Sequence, residues 1–191
     1  MENKDKRFPL ALVTGAAHRL GYSFAIHLAS MGYAIVLHYY QSHDKAFFAF
    51  DEIKKMGVPV FPVQADLISD AGCQKLFEFI DHLRVVEEKK VGELAVLVNS
   101  SSVMPRGDAK TLSLAEFDAA IALNLRAPFV CSQQAYKRME QGGVIINISD
   151  VASQKAWVGY PAYTISKAGM DTMTRVLARS FAPNVRVNAI A

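Results

Sequence analysis

Cysteine is scarce. The chain of 191 residues holds two, Cys73 and Cys131, both in apolar helical settings. With no second pair there is no disulfide framework, which points to a reducing cytoplasm. No apolar run approaches the roughly 20 residues that a membrane span requires, so no membrane partner is expected. Lys4 to Arg7 followed by Leu10-Ala11-Leu12-Val13 faintly imitates a secretion signal. The apolar piece is too short and runs straight into Thr14-Gly15, so it reads as a first strand behind a loose polar tail over residues 1–7. A block of one charge sign is also missing. The 21 basic and 18 acidic residues give +3 and form no long run, which argues against nucleic acid as a partner. Repeats, low-complexity tracts and linkers are absent, and no metal site is assigned.

Apolar residues make up 51% of the chain, and its 11 glycines are spread along it, as suits one globular domain over 1–191 with a substantial core. Short apolar runs alternate with helix-length amphipathic segments. The predicted strands are Leu10–Thr14, Ala34–Tyr39, Val58–Val63, Leu94–Val98, Val144–Ile148 and Val185–Ile190. The predicted helices lie near Leu20–Met31, Asp44–Met56, Asp70–Lys89, Leu114–Met139 and Tyr160–Phe181. Strands rich in Val, Ile and Leu without polar alternation indicate a parallel sheet covered on both faces. The expected class is α/β, a doubly wound, three-layer αβα sheet of Rossmann type.

The first predicted strand ends in Thr14-Gly15-Ala16-Ala17-His18-Arg19-Leu20-Gly21, directly before a helix. Open parallel sheets bind nucleotides at this place, against a helix N-terminus with free N–H groups. Gly15 permits the tight turn, Ala17 keeps the wall low and Gly21 allows close helix packing. Arg19 stands where a third glycine is expected and adds a bidentate phosphate donor. The plain alternative is an ordinary glycine-containing turn. After strand two, Leu37-His38-Tyr39-Tyr40-Gln41-Ser42 carries no carboxylate before Asp44. An acid there would bind the ribose hydroxyls of NAD and repel a 2′-phosphate. His38, Tyr39, Gln41 and Ser42 as donors, with Arg19 for charge, favour NADPH; the alternative is that His38 and the tyrosines cap a strand. Asp66, in Gln64-Ala65-Asp66-Leu67, suits an adenine amine or a helix N-cap. Asn99-Ser100-Ser101-Ser102 ends strand four beside the expected cofactor. Asn124 is a lone polar residue in an apolar helix, which by itself signals only a solvated or carbonyl-bonded amide.

Tyr163 and Lys167 are four apart and share one helix face, with Asp150 upstream. A phenol is a poor acid at neutral pH, and a fixed ammonium is expected to lower its pKa into working range. The alternative is an aromatic ring packed on a lysine stem.

These motifs together resemble the short-chain dehydrogenase/reductase family. They are Thr14-Gly15 to Gly21, Asp66-Leu67, Asn99, Asn124, Tyr163-x-x-x-Lys167 and Arg186-Val187-Asn188, in order along nearly the whole chain. The resemblance implies hydride transfer from a nicotinamide, with Tyr163 as proton donor and Lys167 on the nicotinamide ribose. Asn124 would hold a water linking that lysine to solvent. Gly15, Arg19, Leu20, His38, Tyr39, Ser42, Asp66, Leu67, Asn99, Ser100, Ser101, Tyr163 and Lys167 would contact the cofactor. A homotetramer is implied as well.

Two departures shape the expectation. The family's serine lies thirteen residues before the tyrosine, where this chain has Asp150, with Ser149 aimed to the other face by strand alternation. Aspartate there resembles the pteridine reductase branch, where a carboxyl beside the tyrosine relays a proton to a ring nitrogen. Less like that branch are Gln41 in place of an arginine, and Met104 and Arg106 where a stacking aromatic is expected; Trp157 borders the pocket or packs elsewhere. The chain also stops at Ala191, short of the family's covering segment and final helix and strand, so it is expected to be incomplete. The leading expectation is NADPH-dependent reduction of a dihydropterin or dihydrofolate. Its alternatives are a ketone reductase, such as one acting on 3-oxoacyl thioesters, and a catalytically silent NADPH-binding regulator.

Overall fold

The computed structural model describes residues 7–88 and 90–191. Most of the expected polar tail, and the expected helix end at Lys89, lie outside the described residues. Six strands alternate with helices: β1 Phe8–Val13, α1 Arg19–Ser30, β2 Ala34–Tyr39, α2 His43–Lys55, β3 Val60–Gln64, α3 Asp70–Val86 and β4 Val91–Asn99. Next come α4 Leu114–Ile121, α5 Ala127–Tyr136, β5 Gly143–Ile148, α6 Pro161–Phe181 and β6 Val185–Ile190. All pairings are parallel, in the order β3-β2-β1-β4-β5-β6. The expected Rossmann-type αβα arrangement is present. No helix among the described residues is long and apolar enough to cross a membrane.

Side-chain alternation divides the core between the two faces. Leu10 and Leu12 point toward Leu76, Phe77 and Ile80 of α3, Cys131 of α5, and Met170 and Leu177 of α6. Ala11 and Val13 point the other way, toward Ala25 and Leu28 of α1 and Ala46, Ala49 and Ile53 of α2. Every residue of β2 is buried, which explains why its sequence shows no polar alternation.

Chain order reverses between β1 and β4, which opens a crevice beyond their carboxyl ends. Thr14 closes the floor of that crevice. Its N–H donates to the Val98 carbonyl at 3.0 Å, and its Oγ1 accepts from the N–H groups of Ser100 and Ser101 at 3.0 and 3.1 Å.

The predicted helix Leu114–Met139 has a discontinuity. α4 and α5 are joined by one π turn over Ala122–Arg126, with the Ala127 N–H reaching back five residues to the Ala122 carbonyl. Such bulges break the regular ladder and cluster at functional sites; this one holds Asn124 at 0% exposure. α4 starts at a reciprocal cap between Ser113 and Glu116, and α6 starts with Pro161, whose missing N–H costs nothing there.

Gly21 packs α1 onto the first turn. A Cβ there would lie 2.2 Å from the Gly15 carbonyl oxygen. Gly21→Ala is therefore expected to destabilise the fold by about 1–3 kcal/mol through overpacking. Denaturant unfolding checks this, and unchanged stability would show that α1 is free to shift.

Candidate active site

At the first turn, Gly15 takes a left-handed backbone (φ 65°), and a Cβ would meet Ser101 Oγ at 3.0 Å. That leaves a cradle a side chain would fill. α1 begins without a side-chain cap and without an acidic residue in its first turn, so its leading N–H groups suit an anion. Arg19 is left-handed as well (φ 53°), a conformation that costs a non-glycine residue on the order of 1 kcal/mol. This is the position where the sequence pattern expects glycine. Arg19 is exposed, as is Leu20. A cavity of about 350 Å³ opens beside Arg19, lined by His18, Tyr22, Asp44, Lys45 and Phe48.

The residues after β2 divide. Ser42, half-buried, leaves its hydroxyl without a capping bond at the start of α2. His38 corrects the expectation of a phosphate donor. It is 2% exposed, and its Nδ1 accepts from the Gly15 N–H at 3.1 Å. That bond places the ring proton on Nε2, which lies 3.0 Å from the Ala65 carbonyl and donates to it. Both nitrogens are engaged inside the protein, and burial lowers the imidazole to about 4, so it is neutral. His38 is a brace between the first turn and β3. Tyr39 is also buried, edge-on to His43.

At the end of β3, Asp66 Oδ1 accepts from the Ile68 N–H at 3.0 Å. The N-cap of α3 is Ser69, whose hydroxyl accepts from the Gly72 N–H, so Asp66 holds the turn before the helix rather than the cap. Leu67 is buried. Ser100 and Ser101 line the crevice floor through their bonds to Thr14. Asn99 is a second correction. Its amide Nδ2 donates to Asn147 Oδ1 at 2.8 Å and is within reach of Ser132 and the Pro128 carbonyl, while Asn147 donates to Thr174. This buried network ties β4, β5, α5 and α6 beneath the site, and the Asn99 side chain points into it rather than into the crevice.

Tyr163 and Lys167 lie where the sequence places them, one turn apart on α6, 7% and 2% exposed. The Tyr163 hydroxyl donates to Asp150 Oδ2 at 2.9 Å, and Asp150 Oδ1 accepts from the Ala152 N–H at 2.8 Å. Asp150 thus caps a turn and binds the phenol at once. Ser149 faces away, as alternation requires, and donates to Asp171 at 2.5 Å. Lys167 Nζ donates to the Ile148 carbonyl at 2.6 Å and lies 5.5 Å from the centre of the Tyr163 ring.

Electrostatics here reverse one expectation. The Tyr163 phenol is pushed well above its ordinary value, by burial first and then by the hydrogen bond to Asp150 and the charge of Asp150. The lysine does not overcome these effects. Burial lowers Lys167 itself to about 8, against the charges of Asp150 and Asp171. The Asn124 amide is also fully committed. Its Oδ1 accepts from the Val103 N–H and the Ser102 hydroxyl, and its Nδ2 donates to the Val103 carbonyl and Ser166 Oγ. Four bonds exhaust its capacity, so this side chain is a tie between the loop after β4 and α6, not the expected holder of a water. That loop is also tied to the segment before α6, the Gly107 N–H donating to the Gly159 carbonyl at 3.0 Å. Met104, Arg106 and Trp157 are all exposed on these two segments, with Trp157 edge-on to Tyr160. Asp171 is the functional candidate that sequence reasoning missed. Its signal was present: it follows Lys167 by the same four residues that separate Lys167 from Tyr163.

The sequence profile described as short chain dehydrogenase matches residues 9–191. A 3-oxoacyl-[acyl-carrier-protein] reductase (FabG) of Staphylococcus aureus is 34% identical over 187 residues, 95% of this chain and 72% of the relative. The crystal structure of landomycin C-6 ketoreductase LanV with NADP and rabelomycin superposes with a TM-score of 0.90 at 30% identity, covering 98% of this chain and 76% of LanV. FolM alternative dihydrofolate reductase 1 from Brucella canis, complexed with NADP, gives 0.84 at 30% identity, covering 99% of this chain and 74% of FolM.

Asp150→Asn removes the charge beside Tyr163 and leaves its burial unchanged. The tyrosine pKa, raised in the wild type, is expected to fall while staying above its ordinary value of about 10. Phenolate absorbance, taken as the difference from the matching Tyr163→Phe protein, follows this titration. An unmoved titration would mean that burial alone sets it.

Proposed function

The chain belongs to the short-chain dehydrogenase family, and from that premise we propose that it is an NADPH-dependent reductase of a ketone carbonyl. Tyr163 at the carboxyl edge of the sheet, with Lys167 one turn behind it, carries the reductase reading. The relatives' own names support a keto group over the expected pterin. We read the described chain as one nucleotide-binding unit. The Gly15 cradle, the uncapped start of α1, Arg19 and Ser42 fit a phosphorylated dinucleotide. Arg19 answers the 2′-phosphate with a fork of donors, and β2 ends without a carboxylate that would repel it.

The cofactor, when bound, supplies the hydride. Tyr163 gives the proton to the carbonyl oxygen, and the nearby Lys167 charge favours the phenolate left behind. Asp150 stands where a neutral donor would serve best. Protonated, it donates to the same oxygen; ionised, it opposes the developing alkoxide. A second reading, dihydropterin or dihydrofolate reduction, is favoured by one observation, the 2.9 Å bond between Asp150 and Tyr163. That pair suits proton delivery to a ring nitrogen. Two buried free thiols support a reducing compartment, and exposed Phe129, Ile165 and Val176 on α5 and α6 support self-association, as in a tetramer.

NADPH oxidation is measured with a 3-oxoacyl thioester, dihydrobiopterin and dihydrofolate, for wild type and Asp150→Ser. The ketone reading expects thioester turnover that serine keeps or raises about tenfold. Turnover of the pterin or folate alone, lost in the serine variant, moves the protein to the second reading. Cofactor binding with no turnover at all leaves a silent regulator.

Arg19→Ala is expected to weaken NADPH by about 1.5–3 kcal/mol, the worth of hydrogen bonds to a charged group, and to leave NADH nearly unchanged. Fluorescence titration with both cofactors checks this, and equal losses would remove Arg19 from the 2′-phosphate.

A further inference from the structure

A second carboxylate lies behind Lys167, unused by the proton-transfer pair. Tyr163, Lys167 and Asp171 follow one another at intervals of four on α6 and share one helix face. Asp171 is half-buried, and its Oδ1 is held by the hydroxyl of Ser149, itself 6% exposed at the end of β5. Lys167 is 2% exposed, and its hydrogen bond goes to a neutral carbonyl, that of Ile148. The buried ammonium therefore depends on counter-charges that act from a distance. Asp150, beyond β5, is the first and Asp171, on α6, the second. Its other neighbours are the titratable Tyr163 on α6 and, through Ser166, the neutral Asn124 amide of the π turn. Asp150 already accepts from the Tyr163 hydroxyl and the Ala152 N–H. Asp171, held by Ser149, is the carboxylate outside that pair.

We propose that Asp171 is a positioning residue that keeps Lys167 protonated, and that Ser149 holds it in place for that task. What Lys167 contributes to turnover rests on the reductase reading; the charge relation between the two residues does not.

A test independent of substrate follows from linkage. Lys167 sits at about 8 in the folded protein and near 10.5 when unfolded, so it lowers stability below pH 8, and stability rises from there toward pH 10.5. Asp171→Asn keeps an acceptor for Ser149 and removes the charge, so the folded lysine loses its proton at still lower pH. Its unfolding constant is expected to exceed wild type by about tenfold at pH 6.5, equivalent to one pKa unit. This excess shrinks as pH passes through 8, where Lys167 is neutral in both folded proteins. Urea unfolding at pH 6.5 to 9 is compared for wild type, Asp171→Asn, Asp171→Glu and Lys167→Met, and for Asp171→Asn combined with Lys167→Met. Support is a gap that closes with pH, is restored by glutamate and loses its pH dependence in the Lys167→Met background. A gap equal at all pH values, or one that closes without Lys167, overturns the proposal. NADPH turnover, on any substrate the enzyme accepts, adds a second readout: the alkaline limb of the profile moves about one pH unit toward acid in Asp171→Asn. If nothing is turned over, the reductase reading fails while the unfolding result still stands.

Discussion

A parallel sheet buried on both faces returns every strand's carboxyl end to the same edge, and the rest of the site depends on that constraint. Each helix must carry the chain back across a face, so the polar turns after β1 to β5 gather along one rim. Reversal of strand order between β1 and β4 then parts two of these turns into a crevice. Thr14 and His38 show how the rim is held. Thr14 joins the ends of β1 and β4, and His38 joins the first turn to the end of β3. Neither side chain has capacity to spare for a ligand. Their work is to keep Gly15 and the start of α1 in place.

At the other side of the crevice, geometry and electrostatics meet in a small set of buried ionisable groups. Burial works against ionising both Tyr163 and Lys167: it raises the phenol and lowers the ammonium. A nearby carboxylate favours the ammonium and disfavours the phenolate, so Asp150 acts on the two in opposite senses. Replacing the family's serine by aspartate therefore changes more than one hydrogen bond. It couples the proton held by Tyr163 to the charge on Lys167, and the bond from Asp150 to the turn at Ala152 fixes the carboxylate where this coupling operates.

Much of this was legible in the chain. Uninterrupted Val, Ile and Leu in β2 called for a sheet covered on both faces, and the alternation of runs called for helical crossovers. The outward turn of Ser149 followed from the two-residue period of a strand, and the shared face of Tyr163 and Lys167 from the helical period. Both ends of β2 and β6 fell where expected, and other boundaries moved by up to three residues, as where β3 runs Val60–Gln64 rather than Val58–Val63. The misreadings share a cause. His38 and Asn99 were read as groups facing a cofactor because they are polar and lie near strand ends, and Asn124 as the holder of a water because it matches a family motif. Each instead satisfies buried backbone or side-chain groups of its own protein. Residue type and position along the chain do not tell which side of a wall a side chain faces once the backbone turns.

By itself the sequence determined the layered parallel fold, the place of the crevice, and the helix face that carries Tyr163 and Lys167. Those features rest on periodicity and local turn chemistry, which act over a few residues. Only the tertiary structure decided the bonding of His38 and Asn124, the rise of the Tyr163 pKa, and the meeting of Ser149 with Asp171 across 22 positions of chain. Desolvation and hydrogen-bond satisfaction depend on every group packed around a side chain, and those neighbours come from strands and helices far apart in sequence.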